Sequence, residues 1–131
     1  MKAFMEVAIE EARKAARKGE VPIGAVIVRD GVVLAKAHNM RERKQNALAH
    51  AEILAIHKAC RRLKSWRLED CEMYVTLEPC AMCMGALTNA RIKKVVFGAK
   101  SETDLNWKVE TQTLEHKECG QILKDFFANK R

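Results

Sequence analysis

Between residues 3 and 18, Phe4, Val7, Ala8, Ala12, Ala15 and Ala16 recur at helical intervals among Glu, Arg and Lys, which places one apolar stripe on a helix. Gly19 suits the C-cap of that helix, and Arg13, Lys14, Arg17 and Lys18 lie toward its negative end. After the irregular stretch Glu20-Val21-Pro22-Ile23-Gly24 the pattern changes. Ala25–Val28 and Val32–Ala35 are β-type runs separated by Arg29-Asp30-Gly31, and Asp-Gly at such a junction predicts a hairpin. His38-Asn39 ends the second strand, and Arg41–Asn46 is polar and reads as a loop. A second helix is expected from about Ala49 to Leu63, with Ile53, Leu54, Ile56 and Ala59 inward and His57 half-buried. Cys71–Thr76 reads as a strand, Pro79 suits the opening of a helix carrying Cys80 through Leu87, and Ile92–Phe97 is a further strand closed by Gly98. Val109–Leu114 fits a short strand or a loop. The last helix is expected from Glu115 to about Asn129, with Cys119, Ile122, Leu123, Phe126 and Phe127 on its buried side. A leading hairpin followed by alternating helices and strands predicts an α/β fold, a mixed central sheet covered by helices.

The 131 residues suit a single domain spanning 1–131, long enough to bury a core. The charged start of the chain does not resemble a signal peptide, and no apolar run approaches the roughly 18–20 residues of a spanning helix. A cytoplasmic protein with no membrane partner is expected. Five cysteines, an odd number without a secretion signal, favour a metal site or free thiols over a disulfide framework. Of these, Cys60, Cys71 and Cys119 lie alone among apolar neighbours and read as packing. The net charge of +7 favours anionic partners, of which nucleic acid is the commonest. Lys36, Arg41, Arg43 and Lys44 are candidates to meet phosphates, with a solvated basic face as the plain alternative.

The chemistry concentrates in His50-Ala51-Glu52 and Pro79-Cys80-Ala81-Met82-Cys83. One His and two Cys are a ligand set for tetrahedral zinc with the fourth position open to water. Cys80 and Cys83, at i and i+3 in a first helical turn, point the same way, and the helix N-terminus favours their thiolates. Glu52 lies about 200° around an ideal helix from His50, a poor placement for joint ligation from the side but a workable one at a helix end for a ligand beside a base. Such parts suit hydrolytic displacement at an electrophilic carbon, with ammonia as a natural leaving group. Two other readings stand beside this one. Cys-x-x-Cys also occurs as a redox pair, and a structural zinc would recruit His57 or Cys60 as its fourth ligand, although the gap from His50 to His57 exceeds the usual window.

His-x-Glu followed by Pro-Cys-x-x-Cys is the signature of zinc-dependent nucleobase deaminases. Gly19–Val26, Asn39, Ala49–Ile53, Tyr74–Cys83, Arg91-Ile92 and Val95–Ala99 closely resemble the bacterial tRNA adenosine deaminases. The resemblance implies a cytidine-deaminase-like three-layer fold, a homodimer, one Zn2+ per subunit, and conversion of adenosine to inosine at the wobble position of a tRNA anticodon loop. It further implies that His50, Cys80 and Cys83 hold zinc and that Glu52 shuttles protons. Asn39 would hydrogen-bond the flipped base, and Pro22, Ile23 and Ala51 would complete the substrate-binding residues. Apart from the family, Asn39 reads equally as a turn residue, and Pro22 and Ile23 as ordinary loop and core residues. The likeness weakens after Ala99: the segment is short, Ser101 stands where an Asp is expected, and Trp107 replaces a His, there either to fill space or to stack on a base. Phe126-Phe127 restores it. The shortened rim keeps two alternative substrates open, a free base or nucleoside (guanine or cytosine) and single-stranded DNA.

Overall fold

The computed structural model describes residues 2–101 and 109–129. Ten elements follow in order: α1 (Lys2–Arg17), β1 (Gly24–Arg29), β2 (Val32–His38), α2 (Arg41–Lys44), α3 (Ala51–Leu63), β3 (Glu72–Val75), α4 (Ala81–Asn89), β4 (Lys94–Phe97), β5 (Glu110–Thr113) and α5 (Lys117–Ala128). The sheet has the order β2-β1-β3-β4-β5. Strand β1 runs antiparallel to both β2 and β3, whereas β3, β4 and β5 are parallel. The hairpin turns through Asp30 and Gly31, both at positive φ (51° and 75°), the conformation for which Asp-Gly is favoured.

Alternation along the strands divides the core into two layers. Val26, Val28, Tyr74 and Val96 pack with Met5, Ala8 and Ile9 of α1 and Cys119 of α5. Ala25, Ile27, Met73, Val75, Val95 and Phe97 face the other way, onto Ala51, Ala55 and Ala59 of α3 and Met84 and Leu87 of α4. Two helices on each face of a mixed sheet make the expected three-layer α/β fold. Helix α1 comes very close to the sheet at Gly24, where an added Cβ would lie 1.9 Å from the Ala8 carbonyl oxygen. The exposed edge of β2 is covered from α3. Arg62 Nη1 donates to the Val33 and Leu34 carbonyls at 3.1 Å each, and Lys58 Nζ to that of Lys36 at 2.9 Å. These cations block the carbonyls that another strand would need.

Several local expectations change. Residues 41–44, read as loop, form the short helix α2 because side chains from elsewhere hold their amides, as described below. On α3 the alanines at 51, 55 and 59 are buried, while Ile53, Leu54 and Ile56 are only partly so. Small residues, not the bulky ones, let the helix lie close to the sheet. His57 is exposed. On α5, Cys119 is buried as expected but Phe127 is 52% exposed, its ring edge-on to Phe126. Residues 109–114 contain β5, the outer parallel strand, and Trp107 lies outside the described residues. Among the described residues no helix is long and apolar enough to cross a membrane.

Candidate active site

The topology sets two helix starts and one loop against the same cavity. His50 is the N-cap of α3 and Cys80 the N-cap of α4, both with extended backbone. Because β1 and β3 are antiparallel, the start of β1 lies beside the end of β3. Gly24 N donates to Thr76 Oγ1 (3.2 Å) and Thr76 N to the Gly24 carbonyl (3.0 Å). This brings the Val21–Ile23 segment alongside Leu77–Cys80. Two further backbone bonds, Asn39 N to the Ile23 carbonyl (3.1 Å) and Met40 N to the Ala49 carbonyl (2.9 Å), fold the stretch after β2 onto the same place.

His50 Nδ1 lies 3.5 Å from Cys83 Sγ and 3.8 Å from Cys80 Sγ, and the three donor atoms are all within 4.8 Å of one another. For tetrahedral zinc at ordinary bond lengths, nitrogen and sulfur ligands stand about 3.6 Å apart. With Nδ1 turned to the sulfurs, the ring proton belongs on Nε2. Burial, and after it the charge of Arg41, lowers the His50 pKa, so the imidazole is neutral, as ligation requires. Cys83 is buried, and burial pushes its thiol up; Glu52 and Cys80 push the same way. A cation among these donors is what would reverse that and stabilise the thiolates. Among the described residues the cluster contains no fourth His, Cys, Asp or Glu, one short of a closed structural set. His57 and Cys60, the proposed structural ligands, line a separate groove with Trp66. The donor set therefore fits one Zn2+ per chain with a coordination position to spare.

Glu52 is 4% exposed, and its Oε1 is buried without a hydrogen-bond partner. Burial raises its pKa to about 7, against hydrogen bonds from the backbone and Cys83. An unsatisfied carboxylate oxygen inside a protein is costly unless a ligand or water completes it. Here it borders two adjoining cavities that share Ile23, His50 and Glu52. One, of about 90 Å³, is further lined by Val21, Asn39, Arg41 and Ala51. The other, of about 350 Å³, is further lined by Leu77, Glu78, Cys80, Ala81 and Ser101.

The cavities thus bring together Asn39, His50, Ala51, Glu52, Cys80 and Ile23 from the sequence-predicted set, with Cys83 buried alongside as a donor. Pro22 is buried and is not among the lining residues; its neighbour Val21 is. Asn39 is 6% exposed and anchors the loop, Oδ1 accepting from Arg41 N (3.2 Å) and Nδ2 donating to the Val21 carbonyl (3.4 Å). Sequence reasoning missed Glu78, whose Oε1 accepts from both N and Oγ of Ser101 (3.1 and 3.3 Å). Its place beside Pro79-Cys80 was the available signal. Glu20, also missed, is 1% exposed, and its two oxygens accept from the amides of Glu42 (3.1 Å) and Arg43 (2.6 Å). Nothing local in the sequence announces that contact.

An open His–Cys–Cys metal set beside a buried carboxylate, at paired helix starts on a three-layer mixed sheet, defines a metal-dependent hydrolase of the nucleobase-deaminase type. The model of the MafB19-like deaminases matches residues 1–131. The chain is 46% identical to the tRNA-specific adenosine deaminase of Bacillus subtilis, over 98% of this chain and 89% of that protein, and 44% identical to that of Aquifex aeolicus, over 98% and 94%. The Bacillus alignment spans 143 positions, more than this chain has residues. A structure from a study of A-to-I editing by tRNA:A34 deaminases superposes with a TM-score of 0.87 at 37% identity, covering 94% of this chain and all of that one. The guanine deaminase of B. subtilis gives a TM-score of 0.72 at 40% identity, covering 76% of this chain and 64% of that one. The chain belongs to the family of bacterial tRNA-specific adenosine deaminases, within the cytidine deaminase superfamily.

Proposed function

We propose that the protein hydrolyses adenosine to inosine at the wobble position of a tRNA anticodon loop. The observation that carries this reading is the convergence of His50, Cys80 and Cys83 beside the unsatisfied carboxylate of Glu52. The two histidine- and cysteine-bearing helix starts would hold one zinc ion, which when bound supplies Lewis acidity that brings water to a reactive state near neutral pH. Glu52 would take a proton from that water and pass it toward the leaving group, and a pKa of about 7 suits both directions of transfer. Water adds at C6 of the purine, the C6–N bond breaks, and ammonia leaves. Ile23 and Val21 would wall the base. Ala51 is the first residue of α3, so helix geometry leaves its N–H without an internal partner and suited to an acceptor on the base. Asn39 would donate to the base while keeping its Oδ1 bond to Arg41.

The cavity opens to the surface beside Arg41, and its residues suit a nucleobase extruded from a loop. The proposed setting is a homodimer in the cytoplasm, acting on the anticodon loop or another single-stranded nucleic acid. The test is turnover on an anticodon stem-loop, the DNA hairpin of the same sequence, and free nucleosides and bases. Inosine formed preferentially in the RNA supports the reading. A second reading, deamination of a free base, draws on the 40% identity to a guanine deaminase; free-base activity equal to or above that on RNA would establish it in place of the first.

A further inference from the structure

The segment after Asn39 is held in a way that its own composition does not explain. Residues 41–48 are all exposed, and α2 has one turn and no buried residue. A helix this short is unstable on its own, since nucleation costs more than its few hydrogen bonds return. Nevertheless three consecutive amides of this turn are fixed by buried side chains. Asn39 Oδ1 accepts from Arg41 N, and the Glu20 carboxylate accepts from Glu42 N and Arg43 N. Burying a carboxylate is costly, and two charge-assisted bonds to backbone N–H offset that cost. What these bonds hold is the backbone that carries Arg41, which lines the cavity shared with His50 and Glu52. Among the described residues no carboxylate pairs with Arg41, Arg43 or Lys44.

A guanidinium that is unpaired among the described residues and lines the cavity of His50 and Glu52 suits what surrounds a base in a polynucleotide and is missing from a free base: a phosphodiester. We propose that Arg41 is a specificity-determining residue that contacts a phosphate flanking the target adenosine, and that buried Glu20 is the positioning residue that holds it there. The inference rests on the RNA-deaminase reading and deepens it. Arg41 would make the enzyme prefer a nucleotide within a chain over the same base free in solution, without taking part in the bond-breaking step. Arg43 and Lys44, on the same turn, add to the field but do not line the cavity.

The test uses the zinc-loaded full chain and an RNA hairpin presenting the target adenosine, with wild type, R41A, R41K, E20Q and the double variant R41A/E20Q. R41A is expected to raise KM about tenfold, the loss of one hydrogen bond to a charged group, while kcat changes far less; R41K recovers part of the loss. The slope of log kcat/KM against log salt should become shallower by about 0.7, as for one phosphate contact fewer on a single strand. E20Q should raise KM in the same direction with its zinc content intact, and should add little to R41A. Replacing the phosphates flanking the adenosine by neutral methylphosphonates should cost the wild type what R41A costs, and cost R41A almost nothing more. An R41A enzyme with wild-type KM and salt slope overturns the proposal, as do losses from R41A and the neutral linkage that simply multiply. A wild type that turns over free adenosine but not the hairpin would remove the RNA reading itself, and this proposal with it.

Discussion

The carboxylate of Glu52 and the thiol of Cys83 are buried side by side, and neither is at ease there without a cation. Burial raises both; Glu52 pushes the Cys83 thiol further up, while the hydrogen bond from Cys83 partly offsets the rise at Glu52. A zinc ion bound to His50, Cys80 and Cys83 would draw the thiols into their thiolate form. Cys83→Ala or His50→Ala is expected to drop bound zinc from one per chain to nearly none, with deaminase activity falling in parallel, as read by metal analysis of the purified protein. A variant that keeps one zinc per chain would show that its residue is not a ligand. These roles were legible in the sequence because helix starts and an i,i+3 spacing translate directly into direction. Asn39 was legible only in part. Its side chain anchors the loop, which bears out the turn reading; the base contact is part of the proposed function. Glu20 was not legible, because a buried carboxylate that caps amides more than twenty residues away leaves no local trace.

Among the elements, α1 and the β1–β2 hairpin were clear because one long period and one Asp-Gly turn each admit a single reading. The packed face of α3 was not. Hydropathy points to Ile53 and Ile56, yet the sheet takes Ala51, Ala55 and Ala59; closeness of approach, which hydropathy does not encode, decided it. Close approach is also what Gly24 provides. A methyl group there would collide with the Ala8 carbonyl and with Glu11 Cβ, both on α1. Gly24→Ala should destabilise the protein by about 3 kcal/mol through overpacking, measured as a lower urea midpoint at unchanged slope. Because Gly24 also bonds Thr76 at the edge of the site, activity should fall before the protein unfolds. An unchanged midpoint would mean that α1 moves aside freely and does not set the position of β1.

Across the whole molecule, α1 is tied to the end of β2 by a nearly buried pair, His38 Nδ1 and Glu11 Oε1 at 3.3 Å, with Lys14 on Glu11 (2.7 Å) and Lys18 beside His38 Nε2 (3.2 Å). Burial pushes Glu11 up, but its hydrogen bonds to Lys14 and His38 together outweigh this and leave its pKa below the ordinary value. Burial lowers His38, as does the charge of Lys18, and the bond to Glu11 only partly opposes them. The unfolded chain therefore takes up protons first on acidification, and both groups make stability rise with pH. The His38 contribution is complete above about pH 6.5 and fades as pH falls toward its folded value; that of Glu11 is complete above about pH 4.5 and fades below it. Because Glu52, with its raised pKa, acts in the opposite sense between about pH 4.5 and 7, the His38 contribution is read as a difference. The wild-type urea midpoint should fall relative to that of His38→Gln as pH drops below about 6.5. A difference between the two midpoints that is independent of pH between about 7 and 5 would contradict this role of His38. The three layers were legible from the alternation of elements, and so was the shortening of the family pattern after Ala99, although residues 102–108 lie outside the described residues.

In the proposed function an open His–Cys–Cys zinc set and a separate proton carrier make this chain an adenosine deaminase acting on RNA. The most direct measurement is single-turnover inosine formation on an anticodon stem-loop by wild type and Glu52→Ala, each at a verified one zinc per chain. Full conversion by the wild type, and a loss of at least about a hundredfold in the variant with its zinc retained, is the predicted result. Inosine formation by Glu52→Ala at the wild-type rate, or no inosine from the zinc-loaded wild type, would contradict it.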